Sequence, residues 1–164
     1  MTTPTIQIGS RIPEVTLRTL TAEGPKTVST GEFFKGRKIV VLGVPGAFTG
    51  TCSKTHLPSF LEHAAAIRAK GVAEIACVAV NDMFVLDAWS KSSGAAGKVT
   101  MLSDGNGELA EKMGLVLDAS GHGMGKRFQR FSMVVDNGTV KALKVEPKAG
   151  VCEITNAPSI LAML

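Results

Sequence analysis

Short apolar segments alternate with helical ones along this chain, and this order constrains the fold more than any other feature. Residues 39–43 and 74–80 are apolar almost throughout, which is typical of strands covered on both faces. Each is followed by a segment of helical character, at 52–70 and 83–91. Strands joined through helices run parallel in one sheet. The sequence therefore predicts an α/β fold whose central sheet is flanked by helices.

Local signals fix further boundaries. Pro58 removes a helical hydrogen bond, so we expect the helix over 52–70 to kink there. Asn81-Asp82 is a typical helix cap, and Asp136-Asn137-Gly138 predicts a hairpin with a type I′ turn, which makes the sheet mixed. We expect one domain over 1–164, because no linker or internal repeat divides the chain. The other predicted elements are strands at 99–102, 128–135 and 139–145, a helix that follows the turn at 104–107 and ends near 113, and a helix at 157–164.

Charge and hydropathy exclude two classes of partner. The formal net charge is +4, but the basic residues are spread from Arg11 to Lys148 without interleaved aromatic residues, so no nucleic-acid partner is expected. No apolar run reaches the length of a membrane span, and the N-terminus lacks the pattern of a secretory signal. We therefore expect a cytoplasmic protein without membrane contact, with an organelle left open if a targeting peptide was removed.

The cysteine content also limits the chemistry. The three cysteines, Cys52, Cys77 and Cys152, are odd in number and irregularly spaced, which indicates neither a secreted disulfide framework nor a zinc site. A reducing compartment is favoured.

Cys52 lies where the predicted strand gives way to a helix. The first turn of a helix has unpaired N–H groups and the positive end of the helix dipole, so a thiolate is favoured there. Pro45 ends the strand, Gly46 and Gly50 permit tight turns, and the Thr49 hydroxyl can accept or donate a hydrogen bond beside the sulfur. The alternative is a buried free cysteine that packs as a small hydrophobic residue.

The run Pro-x-x-x-Thr-x-x-Cys at 45–52 resembles the active-site motif of the peroxiredoxins, and the stretch 43–58 resembles their atypical, type II subfamily. The similarity extends to 80–85 with Trp89, to 126–135 and to 145–147. It implies a thioredoxin-like fold and a peroxidase that reduces hydrogen peroxide and small organic hydroperoxides by cysteine chemistry. No metal or organic cofactor is implied.

The resemblance also implies site residues. Cys52 matches the peroxidatic cysteine, whose thiolate becomes a sulfenic acid. Arg130 matches the active-site arginine, which stabilises the thiolate and the charge that develops on the peroxide. Thr49 would orient the sulfur and the incoming oxygen, Pro45 would shield the pocket from water, and the amides of Thr51 and Cys52 would donate to the peroxide.

The chain departs from the subfamily in two places. Gly50-Thr51 replaces a Pro-Gly or Pro-Thr pair, which loosens the loop before Cys52. Cys152 lies two residues before Ile154, the position of the C-terminal resolving cysteine in some members, and an offset of roughly 6 to 7 Å is too long for a disulfide without rearrangement. Cys77 matches a cysteine of plant-type members, but a mid-strand position favours a packed core thiol.

The resemblance also implies a reductant and a quaternary state. The reductant is expected to be glutathione with glutaredoxin, or thioredoxin, and the protein a non-covalent homodimer. His56 belongs to the matched stretch and is either a structural histidine or one that supports the active site. One alternative function is a redox-sensing interaction protein switched by oxidation of Cys52, and another is a basic nucleic-acid module; neither would consume peroxide continuously.

Overall fold

The computed structural model describes residues 4–164, in which a seven-stranded mixed sheet is flanked by helices. The strands are β1 (Thr16–Thr21), β2 (Gly24–Ser29), β3 (Lys38–Gly43), β4 (Glu74–Ala79), β5 (Thr100–Ser103), β6 (Val116–Asp118), β7 (Lys126–Phe128), β8 (Phe131–Asp136) and β9 (Thr139–Val145). The strand order in the large sheet is β2-β1-β5-β4-β3-β8-β9, and a separate two-stranded sheet pairs β6 with β7. The predicted α/β class with a mixed central sheet is confirmed.

The helices follow the strands they cover. They are α1 (Thr30–Phe34), α2 (Leu57–Glu62), α3 (Ala64–Arg68), α4 (Met83–Ser93), α5 (Glu108–Met113) and α6 (Ala157–Leu161), with a π-helical turn at Cys52–His56 and a 3₁₀ turn at Ser120–His122. No helix within residues 4–164 is both long and apolar enough to cross a bilayer.

Alternation along the central strands divides the core into two layers. Val40 and Leu42 point into the layer that contains Phe60 and Trp89, whereas Ile39 and Val41 point into the opposite layer. Both layers are buried because helices cover both faces of the sheet, as the continuous apolar character of 39–43 predicts.

The parallel core strands bring the loop after β3 to the same edge of the sheet as the end of β4. β3 pairs with β4, and β4 with β5, all in parallel. Asn81, just past β4, accepts a hydrogen bond at Oδ1 from the Ala47 amide (2.9 Å), so the two loops are fixed together. Asp82 caps α4 as predicted by accepting from the Val85 amide.

Two predicted elements differ from the structure. The expected strand over 128–135 is divided at Gln129 and Arg130, because β7 pairs with β6 whereas β8 pairs with β3. The expected helix over 52–70 contains a π-helical turn immediately before Pro58, and its interruption lies at His63. The wider π-helical turn is compatible with Pro58, which has no backbone N–H to donate to the preceding helical turn.

The C-terminal hairpin agrees with its prediction. Asp136 pairs with Thr139, and Asn137 (φ 49°) and Gly138 (φ 81°) both occupy the left-handed region, as a type I′ turn requires. The N-terminal hairpin of β1 and β2 was not predicted, because its alternation of side chains is weak.

Candidate active site

Cys52 lies at the start of the helical segment that follows β3, at the predicted turn between strand and helix. Its side chain is fully buried (0% exposed) and the thiol is free. The first helical hydrogen bond runs from the Ser53 amide to the Thr49 carbonyl (3.0 Å), so the amides of Thr51 and Cys52 precede the helical ladder. This places the sulfur at the end of the helix where N–H groups concentrate positive potential.

Arg130 is brought to Cys52 by the break between β7 and β8. It is 2% exposed, and its Nη2 donates a hydrogen bond to Cys52 Sγ (3.1 Å). Nε and Nη2 also donate to the Ala149 carbonyl (3.2 and 3.1 Å), while Nη1 lies 2.9 Å from Nδ1 of His56. A planar guanidinium held at all three nitrogens has little freedom to turn away from the sulfur.

His56 is buried directly behind this guanidinium. Its Nε2 lies 3.1 Å from the Thr155 carbonyl and 3.1 Å from Ser132 Oγ, and Ser132 Oγ donates to the same carbonyl (2.6 Å). Burial is the main cause that lowers the pKa of His56 to about 3, and the Arg130 charge adds to it against the opposing effect of Thr155. The imidazole is therefore neutral at physiological pH.

A buried carboxylate organises the segment that closes this cluster from the C-terminal side. Glu146 Oε2 accepts hydrogen bonds from the amides of Glu153, Ile154 and Thr155 (2.9 Å each) and from the Thr155 hydroxyl (2.7 Å). The Glu146 amide donates to the Arg130 carbonyl (2.9 Å). One residue thus ties the backbone of the arginine to the loop that holds the histidine.

Thr49 and Pro45 occupy the loop between β3 and Cys52. The Thr49 hydroxyl donates to the Gly46 carbonyl (2.6 Å), which leaves its oxygen lone pairs as acceptors. Pro45 is buried, and its carbonyl accepts from Arg127 Nη1 (3.3 Å). Phe48, between them, has a positive φ of 63°, a backbone conformation that marks strain at functional loops.

The other two thiols have different surroundings. Cys77 is fully buried in β4, and burial raises the pKa of its thiol well above the usual range. Cys152 is half-buried, and burial also raises the pKa of its thiol, an effect that a contact with the Thr155 hydroxyl (3.5 Å) partly offsets. Only Cys52 has a hydrogen bond from a guanidinium among the three cysteines.

The arrangement can stabilise an anion on sulfur and on an atom bound next to it. The donors are one arginine fork and the first amides of a helix, and the acceptor is a threonine oxygen whose proton is already committed. Among the described residues, no group of three or more His, Cys, Asp or Glu side chains is placed to hold a metal ion.

The structure brings together the candidates Cys52 and Arg130 and places Thr49 and Pro45 in the adjoining loop. It adds Glu146, Ser132 and Thr155, for which no sequence motif indicates a role. The sequence could have indicated Glu146, because a single acidic residue follows the end of β9. Its partners, however, lie in a loop whose path no local pattern indicates.

Comparisons with known proteins agree with one another. The Redoxin family model matches residues 7–161. The chloroplastic Peroxiredoxin-2E-2 of Oryza sativa subsp. japonica is 44% identical over 165 residues, which cover 98% of this chain and 73% of the relative. Peroxiredoxin-2D of Arabidopsis thaliana is 38% identical over 160 residues, covering 97% and 98% of the two chains. The crystal structure of reduced Prx3 from Vibrio vulnificus in complex with H₂O₂ superposes with a TM-score of 0.91 at 44% identity, covering 96% of this chain and 98% of that one.

Proposed function

Because the chain belongs to the Redoxin family and is a type II peroxiredoxin, we propose that Cys52 is its peroxidatic residue. In this thiol-dependent peroxidase with a thioredoxin-like fold, Arg130, Thr49 and Pro45 complete the site. The observation that carries this assignment is the hydrogen bond from Arg130 Nη2 to Cys52 Sγ (3.1 Å). A thiolate is the nucleophile in sulfur chemistry, and a donor that carries positive charge favours it over the thiol.

The reaction divides into two steps. The Cys52 thiolate attacks one oxygen of the hydroperoxide, the O–O bond breaks, and the sulfur becomes a sulfenic acid while the other oxygen leaves as an alkoxide or hydroxide that takes up a proton. A thiol then condenses with the sulfenic acid, releases water and forms a disulfide, which a second thiol reduces.

The surrounding groups are suited to the first step. Negative charge spreads from the sulfur onto both peroxide oxygens in the transition state, so the Arg130 fork binds that state more strongly than it binds the separate reactants. Thr49 Oγ1 accepts a hydrogen bond from the O–H of the attacked oxygen, because its own hydrogen is donated to the Gly46 carbonyl. Buried Pro45 keeps water from the sulfur.

The Cys52→Ser variant tests the assignment. It should lose steady-state consumption of hydrogen peroxide while its thermal unfolding stays close to that of the wild type, because a hydroxyl keeps the volume but not the nucleophile. Cys152→Ser is the matched control and should retain most of the turnover. Undiminished turnover in Cys52→Ser would falsify the assignment.

The reductant and the compartment are further parts of the proposal. The reductant is an external thiol, either glutathione with glutaredoxin or thioredoxin. All three cysteines of the described chain are free, which supports a reducing compartment such as the cytoplasm. The thiols can be alkylated in the cell before the protein is purified, which preserves their redox state. A reducing compartment would be contradicted if Cys52 were then found mainly in a disulfide.

A non-covalent homodimer is supported by an apolar surface beside the site. Phe48 and Phe84 are 55% and 59% exposed, and the hydrogen bond between Ala47 and Asn81 joins the Phe48 loop to the segment that leads into α4. Exposed aromatic residues are typical of protein interfaces. Sedimentation equilibrium of Phe84→Asp should show a weaker dimer than the wild type; equal dissociation constants would exclude this surface.

A further inference from the structure

His56 has hydrogen-bond partners at both ring nitrogens, and these partners fix its proton. The Thr155 carbonyl beside Nε2 can only accept, so Nε2 must carry a hydrogen. The Arg130 Nη1 group beside Nδ1 can only donate, so Nδ1 must be a bare lone pair. The surroundings therefore admit one form of the ring, neutral with its hydrogen on Nε2.

His56 also stands one helical turn after Cys52, at the other end of the same π-helical turn. Arg130 reaches both residues from the opposite side, through Nη1 to the histidine and through Nη2 to the sulfur (2.9 and 3.1 Å). Because the two nitrogens belong to one rigid plane, fixing Nη1 fixes the direction in which Nη2 points.

We propose that His56 is a positioning residue of this peroxidase, whose neutral imidazole accepts from Arg130 and thereby aims the guanidinium at the Cys52 sulfur. The inference rests on the proposed roles of Cys52 and Arg130. The ring acts through the arginine and touches neither the sulfur nor the peroxide in this role.

A rigid support for the ring lies behind it. The Thr155 carbonyl that receives the Nε2 hydrogen belongs to a segment held by four hydrogen bonds to Glu146 Oε2. A buried carboxylate that accepts from three consecutive amides leaves that segment little freedom. A continuous path of contacts thus runs from Glu146 through Thr155, His56 and Arg130 to Cys52.

Two isosteric variants separate the positioning role from a purely structural one. In His56→Asn, the amide oxygen occupies the place of Nδ1 and can still accept from Arg130, but the contact with Thr155 is lost. In His56→Gln, the amide nitrogen occupies the place of Nε2 and can still donate to Thr155, but nothing accepts from Arg130 Nη1. His63→Asn is the control, since His63 is half-buried and its ring bonds the Ser59 carbonyl (2.9 Å), which lies outside the Arg130 cluster.

The primary measurement is the rate at which iodoacetamide alkylates Cys52 as a function of pH in the full-length protein, followed by mass spectrometry of the Cys52 peptide. Losing one hydrogen bond to a charged group corresponds to roughly a tenfold change, so His56→Gln should slow both the alkylation of Cys52 at neutral pH and the reaction with hydrogen peroxide about tenfold. His56→Asn and His63→Asn should stay within about threefold of the wild type in both measurements.

The outcomes are distinct. If His56→Asn shifts the alkylation profile of Cys52 as much as His56→Gln does, or more, then His56 supports the loop and does not aim the arginine. The inference is then overturned. If the His56→Gln variant does not fold, the His56→Asn variant alone decides. Its contact with Thr155 is lost, so a wild-type alkylation profile supports the positioning role and a shifted profile contradicts it. Alkylation needs no turnover, so these results stand even if Cys52→Ser proves the peroxidase assignment wrong.

Discussion

Arg130 donates a hydrogen bond to the sulfur of Cys52 across 3.1 Å, although 78 positions separate the two residues in the chain. The pairing of β3 with β8 makes this possible, because Gly43 lies opposite Phe131 and the arginine is the residue just before that pair. Cys52 follows β3 through one loop. The two reactive groups are therefore brought together by the register of one antiparallel strand pair.

Replacing Arg130 tests whether one placed guanidinium or general positive charge activates the sulfur. Arg130→Met should slow the second-order reaction with hydrogen peroxide by roughly 100-fold and move Cys52 alkylation to higher pH, because the donor to the thiolate and to the peroxide is lost. Stopped-flow fluorescence and alkylation kinetics give the two numbers.

Lys126→Met is the control for that comparison, since Lys126 is exposed and its ion pair with Glu111 is 3.4 Å long. Lys126→Met also removes one positive charge, four residues before Arg130, and should change neither the peroxide rate constant nor the pH of Cys52 alkylation. Equal effects in the two variants would show that the charge of the surface, and not the hydrogen bond, is responsible.

An external thiol should resolve the sulfenic acid on Cys52. Cys77 is packed between β3 and β5, and Cys152 is held in the segment anchored by Glu146, so neither is free to meet the sulfur. The double variant Cys77→Ala, Cys152→Ser should keep most glutathione-supported turnover. Alanine is chosen at position 77 because a serine hydroxyl would be buried among apolar side chains.

Peptide mapping after one equivalent of peroxide provides the independent check. The wild type should contain Cys52 mainly as sulfenic acid or as the adduct of the added thiol. A dominant bridge from Cys52 to Cys152, together with lost turnover in Cys152→Ser, would make this a two-cysteine enzyme whose C-terminal loop rearranges in each cycle.

Acid should destabilise the wild type partly through His56. The pKa of this group is about 3 in the folded protein and 6.5 in the unfolded chain, so the unfolded chain binds the extra proton and stability rises with pH between those values. Between pH 7.5 and 4.5 the wild type should lose roughly 2 to 3 kcal/mol more than His56→Asn, which has no titrating group there.

Urea unfolding at a series of pH values measures this difference, and all other titrating groups cancel in the comparison. Parallel curves for the wild type and His56→Asn would mean that folding does not lower the pKa of His56.

Gly43 should tolerate no side chain. A Cβ built there would overlap the ring of Phe131, its cross-strand partner, and that ring is fully buried and unable to move aside. Gly43→Ala should therefore cost about 3 kcal/mol or more in the free energy of unfolding. It should also lower peroxidase activity, because the strand pair that carries Arg130 is displaced.

Gly50→Ala is the matched control. A Cβ at Gly50 meets nothing within 4 Å, and its φ does not lie in the left-handed region, so the substitution should be neutral or slightly stabilising. Thermal unfolding of both variants measures the contrast. Similar losses at the two positions would contradict the packing argument at Gly43.

Elements that form through interactions between neighbouring residues can be predicted from the amino-acid sequence. Continuous apolar runs predict β3 and β4 as strands covered on both faces, the side chain of Asp82 predicts the start of α4, and Asn137-Gly138 predicts a two-residue turn. By resemblance, the motif at 45–52 identifies the family and the candidates Cys52, Thr49 and Pro45, and the matching stretch at 126–135 identifies Arg130. Each of these signals lies within a few neighbouring residues.

The surroundings of the Cys52 sulfur depend instead on contacts between residues that are far apart in the chain. The strand is interrupted at Gln129 and Arg130 because β7 pairs with β6 and β8 pairs with β3. No residue pattern in 128–135 predicts this change of pairing strand. The contacts of His56 reach residues 74 to 99 positions away, to Arg130, Ser132 and Thr155. Hydrogen bonds of that separation leave no periodicity in the sequence, because they depend on where the strands and loops pack and not on the conformation of the residues beside them.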